Sequence, residues 1–354
     1  MNYELEKTAR AMVTDGKGIL AADETIGTIT KRFDALSIQS TEESRRTYRE
    51  MLFTTPGVGE FISGVIMYDE TIRQRSADGS SLADVLVKQG IIPGIKVDTG
   101  AKPLAGSPDE TITEGLDGLR ERLQQYRGMG ARFAKWRAIF RITDRLPSPM
   151  SVSTNAHALA RYAALCQEQG LVPIVEPEVL MDGSHPIERC EEVTSAVLEA
   201  VFHELFELCI RLEAMLIKPN MVIAGKTCPQ QASVQEVAAS TVRCLRRHVP
   251  AAVPGIVFLS GGQSDVLATA HLNAINRIDA GKPWKTSFSY GRALQDAALA
   301  TWHGKPENLK TGQEALYHRA KCNGAASIGI YTEAMEGQPS HLVGAAHRSD
   351  SHDD

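Results

Sequence analysis

A rhythm in the chain constrains its fold most: short apolar, β-branched runs recur with centres about every 30 to 45 residues, separated by longer polar or helix-patterned stretches. Eight runs read as strands: GILAAD (18–23), FISGVIMYD (61–69), IIPGIKVD (91–98), RFAKWRAIFR (132–141), LVPIVEPE (171–178), AMLIKPNMV (214–222), GIVFLSGG (255–262) and KTSFSYG (285–291). The stretches between them read as helices. NAHALARYAALCQEQG places Ala158, Leu159, Tyr162 and Leu165 on one stripe and stops at Gly170. Strand then helix, eight times over, predicts an α/β fold of the closed parallel (β/α)₈ type, the TIM barrel. The 354 residues fit one such barrel with extensions, and no composition break marks a linker. Residues 1–331 are therefore expected to form a single barrel domain opening with an N-terminal helix. Residues 332–354 (TEAMEGQPSHLVGAAHRSDSHDD) are polar and rich in small residues, and are expected to be a mobile C-terminal tail.

The composition removes several classes of function. Lys and Arg number 38 against 43 Asp and Glu, a net charge of −5, so no basic field is available for nucleic acid. Six scattered cysteines with no CxxC pair read as reduced thiols of a cytoplasmic protein. No apolar stretch has the length of a signal peptide or a bilayer span, so no membrane partner is expected. The ten histidines form neither HxH nor HExxH, and no catalytic metal is expected. AGKT (224–227) resembles the end of a phosphate-binding loop, but Asn220 stands where that motif needs its first glycine. His185 reads as a loop residue, and Glu42 to Arg46 as a solvated helix face.

The informative residues are charges inside apolar strands, because the C-terminal ends of parallel barrel strands form the active-site rim. The first strand ends in Asp23, and the third carries Lys96. The fourth has Lys135 and Arg137, the fifth Glu176 and Glu178, and the sixth Lys218. Alternate positions share a face, so 135 with 137 and 176 with 178 point the same way. A lone lysine near a strand end is ordinarily solvated or salt-bridged. Three lysines and three carboxylates converging on one rim must instead be paired or shifted in pKa, which points to chemistry. Lys218 follows the apolar run Ala214 to Ile217 and precedes Pro219. A lysine so placed, with Lys135 nearby, is expected to give up its proton readily and attack a carbonyl, while a glutamate of raised pKa shuttles protons. The Ser260-Gly261-Gly262 and Ser289-Tyr290-Gly291-Arg292 ends of the last two strands supply backbone N–H groups and a guanidinium for a substrate phosphate.

The motifs GILAADET, GIKVD, FAKWR, VEPE, IKPNMV, FLSGGQS and FSYGRALQ, in this order, closely resemble class I fructose-bisphosphate aldolases from about residue 3 to 330. The resemblance implies a metal-independent barrel lyase with no cofactor that cleaves fructose 1,6-bisphosphate to dihydroxyacetone phosphate and glyceraldehyde 3-phosphate. It also implies a homotetramer. Carried over by position, Lys218 matches the imine-forming lysine, Glu176 the proton donor and acceptor of imine formation, and Asp23 the base at the C4 hydroxyl. Lys135 and Glu178 match groups that tune and bridge the carbinolamine. Ser260, Gly261, Gly262, Ser289, Gly291 and Arg292 match the C1-phosphate site. Thr28, Arg32 and Lys96 fall at the C6-phosphate site, with Thr25 and Arg137 beside it.

Two departures are visible. Thr25 and Thr28 stand where the family usually has serines, and the chain ends Ser-His-Asp-Asp rather than in the tyrosine of the best-known members; its last tyrosine is Tyr331. Preference between fructose 1,6-bisphosphate and fructose 1-phosphate is open on this ground. A transaldolase-like sugar-phosphate aldolase and a non-catalytic scaffold are the competing readings; the retained rim charges weigh against the scaffold.

Overall fold

The structure, a computed structural model, describes residues 2–278 and 281–337. Its strands in chain order are β1 (Gly18–Ala22), β2 (Ile62–Met67), β3 (Ile92–Lys96), β4 (Gly100–Leu104), β5 (Ser107–Glu114), β6 (Phe133–Phe140), β7 (Val172–Val179), β8 (Leu216–Ile217), β9 (Gly255–Phe258) and β10 (Lys285–Tyr290). Eight of them close into a barrel in the order β1-β10-β9-β8-β7-β6-β3-β2, every pair parallel. The expected (β/α)₈ barrel is the fold. Both faces of these strands are covered, which is why they read as continuous apolar runs.

Two cores follow from the alternation of side chains. The larger lies between barrel and helices and includes Trp136, Phe140, Tyr162 and Phe258. The smaller fills the lower barrel with Ile19, Ala21, Ile66, Phe133, Val172, Ile174, Leu216 and Val257. The helix Asn2–Met12 stoppers that end with Leu5, Ala9 and Met12. Phe133 fits because its neighbours on β2 and β3 are glycines: a Cβ at Gly94 would stand 2.2 Å from the ring, and one at Gly64 3.1 Å. With the floor sealed by apolar groups, the next inward positions along the same strands are Asp23, Lys135, Glu176 and Lys218.

Three expectations change. The region 100–114 is no helix but an antiparallel hairpin, β4 with β5, standing on the barrel mouth outside the barrel itself. The run 214–222 gives only a two-residue strand, because Pro219 has no N–H with which to continue the ladder; the Lys218 N–H still donates to the Val175 carbonyl at 2.8 Å. The run 255–262 stops at Phe258, and Gly261 (φ 61°) and Gly262 (φ 85°) turn in the left-handed region instead. Of the expected mobile tail, residues 332–337 make a short turn over Glu333–Met335, and 338–354 lie outside the described residues. No helix among the described residues is long and apolar enough to cross a membrane.

Candidate active site

The barrel mouth holds a cavity of about 770 Å³, into which the rim charges converge. The period of two along each strand brings them there: Ala21 on β1 to Asp23 just past its end, Phe133 to Lys135 to Arg137 on β6, Ile174 to Glu176 to Glu178 on β7, Leu216 to Lys218 after β8. Register completes the layer, setting Lys96 beside Lys135 and Arg137 beside Glu176. Of the residues expected at the site, Asp23, Thr25, Thr28, Arg32, Lys96, Lys135, Arg137, Glu176, Glu178, Lys218, Ser260, Gly261, Ser289, Gly291 and Arg292 all line this cavity. Gly262 does not line it. It backs the rim instead: a Cβ there would stand 3.1 Å from the Arg292 guanidinium and 3.1 Å from the Lys226 ammonium.

At the floor runs a chain of alternating buried charges. Lys218 Nζ lies 3.1 Å from Glu176 Oε1, Glu176 Oε2 lies 3.3 Å from Lys135 Nζ, and Lys135 Nζ lies 2.7 Å from Asp23 Oδ2. Lys135, Glu176 and Lys218 are each 3% exposed, so these charges stand on one another and on little water. Burial alone would push the Asp23 carboxyl up, but Lys135, Lys218 and Lys96 outweigh it and hold it at about 2. Burial likewise opposes the charge on Lys135, yet Asp23, Glu176 and Asp98 keep that ammonium well above its ordinary range.

The glutamate corrects the expectation of a raised pKa. Burial favours the neutral acid, but Lys135, Lys218 and Arg137 together leave Glu176 below the usual carboxylate range. Lys135 is therefore a fixed cation locked to two carboxylates. Glu176 Oε2 is buried and takes no well-aligned hydrogen bond, so its 3.3 Å contact with the Lys135 ammonium is one of charge. Glu178 joins neither lysine; it accepts from the Arg137 Nε at 2.5 Å.

Two polar clusters flank the floor. On one side Thr25 caps the helix Ile26–Asp34, its hydroxyl accepting from the Thr28 N–H at 3.3 Å and lying 3.0 Å from the Thr28 hydroxyl. Arg32 on that helix is bound to Glu24 and, at 2.7 Å, to Asp296. On the other side Gly291 begins the helix Arg292–Trp302 without any side-chain cap, next to the Ser260-Gly261 turn. First-turn N–H groups at such a start are free to hold an anion. The Ser289 hydroxyl nearby is buried with no partner.

Sequence reasoning missed the residues that hold these groups. Glu24 anchors a network, accepting from Arg49 at 2.7 Å and from Gln295 at 2.9 Å, while Gln295 also takes the Tyr48 hydroxyl at 3.0 Å. Asp98 clamps Lys96 at 2.7 Å and accepts from the Arg137 N–H at 3.3 Å. Lys226, dismissed with the AGKT run, reaches the glycine turn from a loop whose N–H bonds the Met181 carbonyl at 2.8 Å. The sequence signal for Glu24 and Asp98 was their adjacency to Asp23 and Lys96 in the same motifs.

A sequence-family model described as "Glycolytic: Fructose-bisphosphate aldolase class-I" matches residues 4–347. The chain is 57% identical over 327 residues to a "Probable fructose-bisphosphate aldolase class 1" of Xanthomonas axonopodis pv. citri, covering 92% of this chain and 98% of that one. It is 52% identical over 329 residues to "Fructose-bisphosphate aldolase 4, cytosolic" of Arabidopsis thaliana, covering 93% and 84% respectively. Among solved structures, the fructose-bisphosphate aldolase of Plasmodium falciparum, crystallised with TRAP and a small-molecule inhibitor, superposes with a TM-score of 0.92 at 49% identity, over 93% of this chain and 95% of that chain. With the barrel and its charged mouth already in hand, these matches establish that the chain belongs to the class I fructose-bisphosphate aldolase family, lyases that reversibly split fructose 1,6-bisphosphate into dihydroxyacetone phosphate and glyceraldehyde 3-phosphate.

Proposed function

We propose that this lyase works through an imine on Lys218, and the observation that carries the proposal is the buried chain Lys218-Glu176-Lys135-Asp23. A sugar phosphate entering the cavity brings its C2 carbonyl to the Lys218 amine, whose surplus proton has one near acceptor in Glu176 Oε1. Attack gives a carbinolamine, and the proton then on Glu176 goes to its hydroxyl, which leaves as water. The charge relation makes this exchange natural: Glu176 is held acidic partly by the Lys218 ammonium, so once that cation passes on its proton, the glutamate becomes a stronger base. Lys135 cannot follow, because Asp23 still pins its proton. It remains the fixed positive charge that stabilises developing oxyanions.

The protonated imine is the electron sink. Asp23, ionised throughout the physiological range, accepts the C4 hydroxyl proton as the C3–C4 bond breaks and its electron pair flows into the imine to give an enamine. Glyceraldehyde 3-phosphate leaves; protonation of the enamine at C3 and hydrolysis of the imine release dihydroxyacetone phosphate and regenerate the Lys218 amine. Arg137 and Glu178, paired across β6 and β7, orient hydroxyls at the rim. The uncapped start of the helix Arg292–Trp302, with Ser260, Gly261, Ser289 and Arg292, binds the C1 phosphate. Thr25, Thr28, Arg32 and Lys96 receive the C6 phosphate, which competes with Glu24 and Asp296 for Arg32.

In this reading no metal or organic cofactor takes part, since the imine supplies the electron sink that a Lewis acid would otherwise provide. Turnover of fructose 1,6-bisphosphate should survive EDTA; a large loss restored by zinc would overturn the imine route. The reading also includes a homotetramer, as the family resemblance implies, and a place in the cytoplasm, which the name of the cytosolic Arabidopsis relative supports.

A further inference from the structure

In the helical layer outside the barrel strands three unlike donors meet, none of them among the residues that line the mouth. His318 and Cys322 lie one turn apart on the helix Leu309–Ser327, and Glu336 reaches them from the turn that follows Tyr331. The Cys322 sulfur is 3.7 Å from His318 Nε2, and His318 Nε2 is 3.6 Å from Glu336 Oε2. The three donor atoms all lie within 4.8 Å of one another.

These separations carry the argument. For tetrahedral zinc, bond lengths of about 2.0 to 2.1 Å to nitrogen and oxygen and about 2.3 Å to sulfur require edges of roughly 3.5 Å between N and S and roughly 3.3 Å between N and O. The two measured edges are within a few tenths of an ångström of that figure. We propose that His318, Cys322 and Glu336 form a binding site for a zinc-class divalent metal, which clips residues 331–337 to the helix Leu309–Ser327.

The donor chemistry selects the class of ion. Imidazole, thiolate and carboxylate suit zinc and cobalt, whereas magnesium and calcium want oxygen alone. The carboxylate is also aimed. The Tyr331 hydroxyl donates to Glu336 Oε1 at 2.7 Å, leaving Oε2 on the side of the histidine, as outer partners do for metal ligands. Arg319, which is bonded to Glu336 Oε2 and at 2.7 Å to the Thr269 hydroxyl, adds one positive charge beside the site. Asp265, 3.7 Å from the Arg319 Nε, offsets that charge, and once Cys322 gives its proton to solvent on ligation a dication meets one thiolate and one carboxylate. Three protein ligands leave the fourth position to water. The spacing escaped sequence reading because the third ligand comes from a segment beyond the helix.

Titration of the full chain with cobalt(II) tests this. One equivalent should bind with a thiolate-to-cobalt charge-transfer band in the near ultraviolet; Cys322→Ser should abolish the band, and His318→Ala and Glu336→Gln should each weaken binding at least about tenfold. All three variants should keep cleavage of fructose 1,6-bisphosphate. No such band, or the same band in Cys322→Ser, overturns the site. Should Cys322→Ser fail to fold by circular dichroism, His318→Ala decides, and unchanged cobalt affinity there refutes the proposal.

Discussion

Lys218 has its ammonium 3.1 Å from Glu176 and its backbone N–H on Val175, so its place does not depend on its chemistry. Lys218→Arg therefore separates an ion pair from a nucleophile: arginine keeps the charge but stays protonated. The variant is expected to fold with native circular dichroism and lose cleavage by at least about three orders of magnitude. A folded variant keeping a tenth of the activity would point to Lys135 instead. Phosphate contacts should show mainly in KM. Arg292→Ala should raise it about ten- to a hundredfold, as expected for a charge-assisted bond. Lys226, half-exposed and shared with Asp182 at 3.3 Å, should be worth no more than about fivefold. Asp23 supplies a pH prediction. Its folded pKa of about 2 lies below its ordinary 3.8, so its contribution, on the order of 2 kcal/mol, is fully present above pH 4 and is lost as pH falls toward 2. Asp23→Asn should flatten that part of the stability profile measured by urea unfolding; an unchanged acid limb would mean that the pairing with Lys135 does not stabilise the fold.

Strands that are covered on both faces announce themselves, which is why all eight barrel runs were legible. β4 and β5 were not: GAKPL and SPDETITE are polar, with much of their surface in water, and carry no apolar period. The end of β8 was readable only through Pro219. Charges embedded in apolar strands gave the floor of the site, but their partners were hidden. Glu24 and Asp98 look like ordinary acidic neighbours until the fold brings Arg49, Gln295 and Arg137 to them. Arg45, expected in solvent, is only 12% exposed and pairs with Glu70 at 2.6 Å, because the helix Glu42–Phe53 packs on that side. What decides such pairings is tertiary packing, which no local pattern encodes. The barrel floor offers a packing test: Gly94→Ala pushes a methyl into the Phe133 ring and should cost about 1 to 3 kcal/mol in urea unfolding. Phe133→Leu added to it should recover part of the loss; no recovery would mean the clash lies elsewhere.

For the molecule as a whole, function rests on a division along the barrel axis. The N-terminal end is sealed by the helix Asn2–Met12 and an apolar plug, and the opposite end concentrates charge in water-poor space. Stability is thus built at one end and chemistry at the other, with Phe133 and Lys135 two residues apart on the same strand. Sedimentation at micromolar concentration should return four copies, and a stable monomer would contradict the proposed assembly. The most direct measurement is borohydride reduction in the presence of dihydroxyacetone phosphate, followed by peptide mapping. The account predicts one reduced adduct per chain, on the peptide containing Lys218, with activity lost in proportion. No adduct, or an adduct on Lys135 or Lys96 while Lys218 stays unmodified, would contradict it.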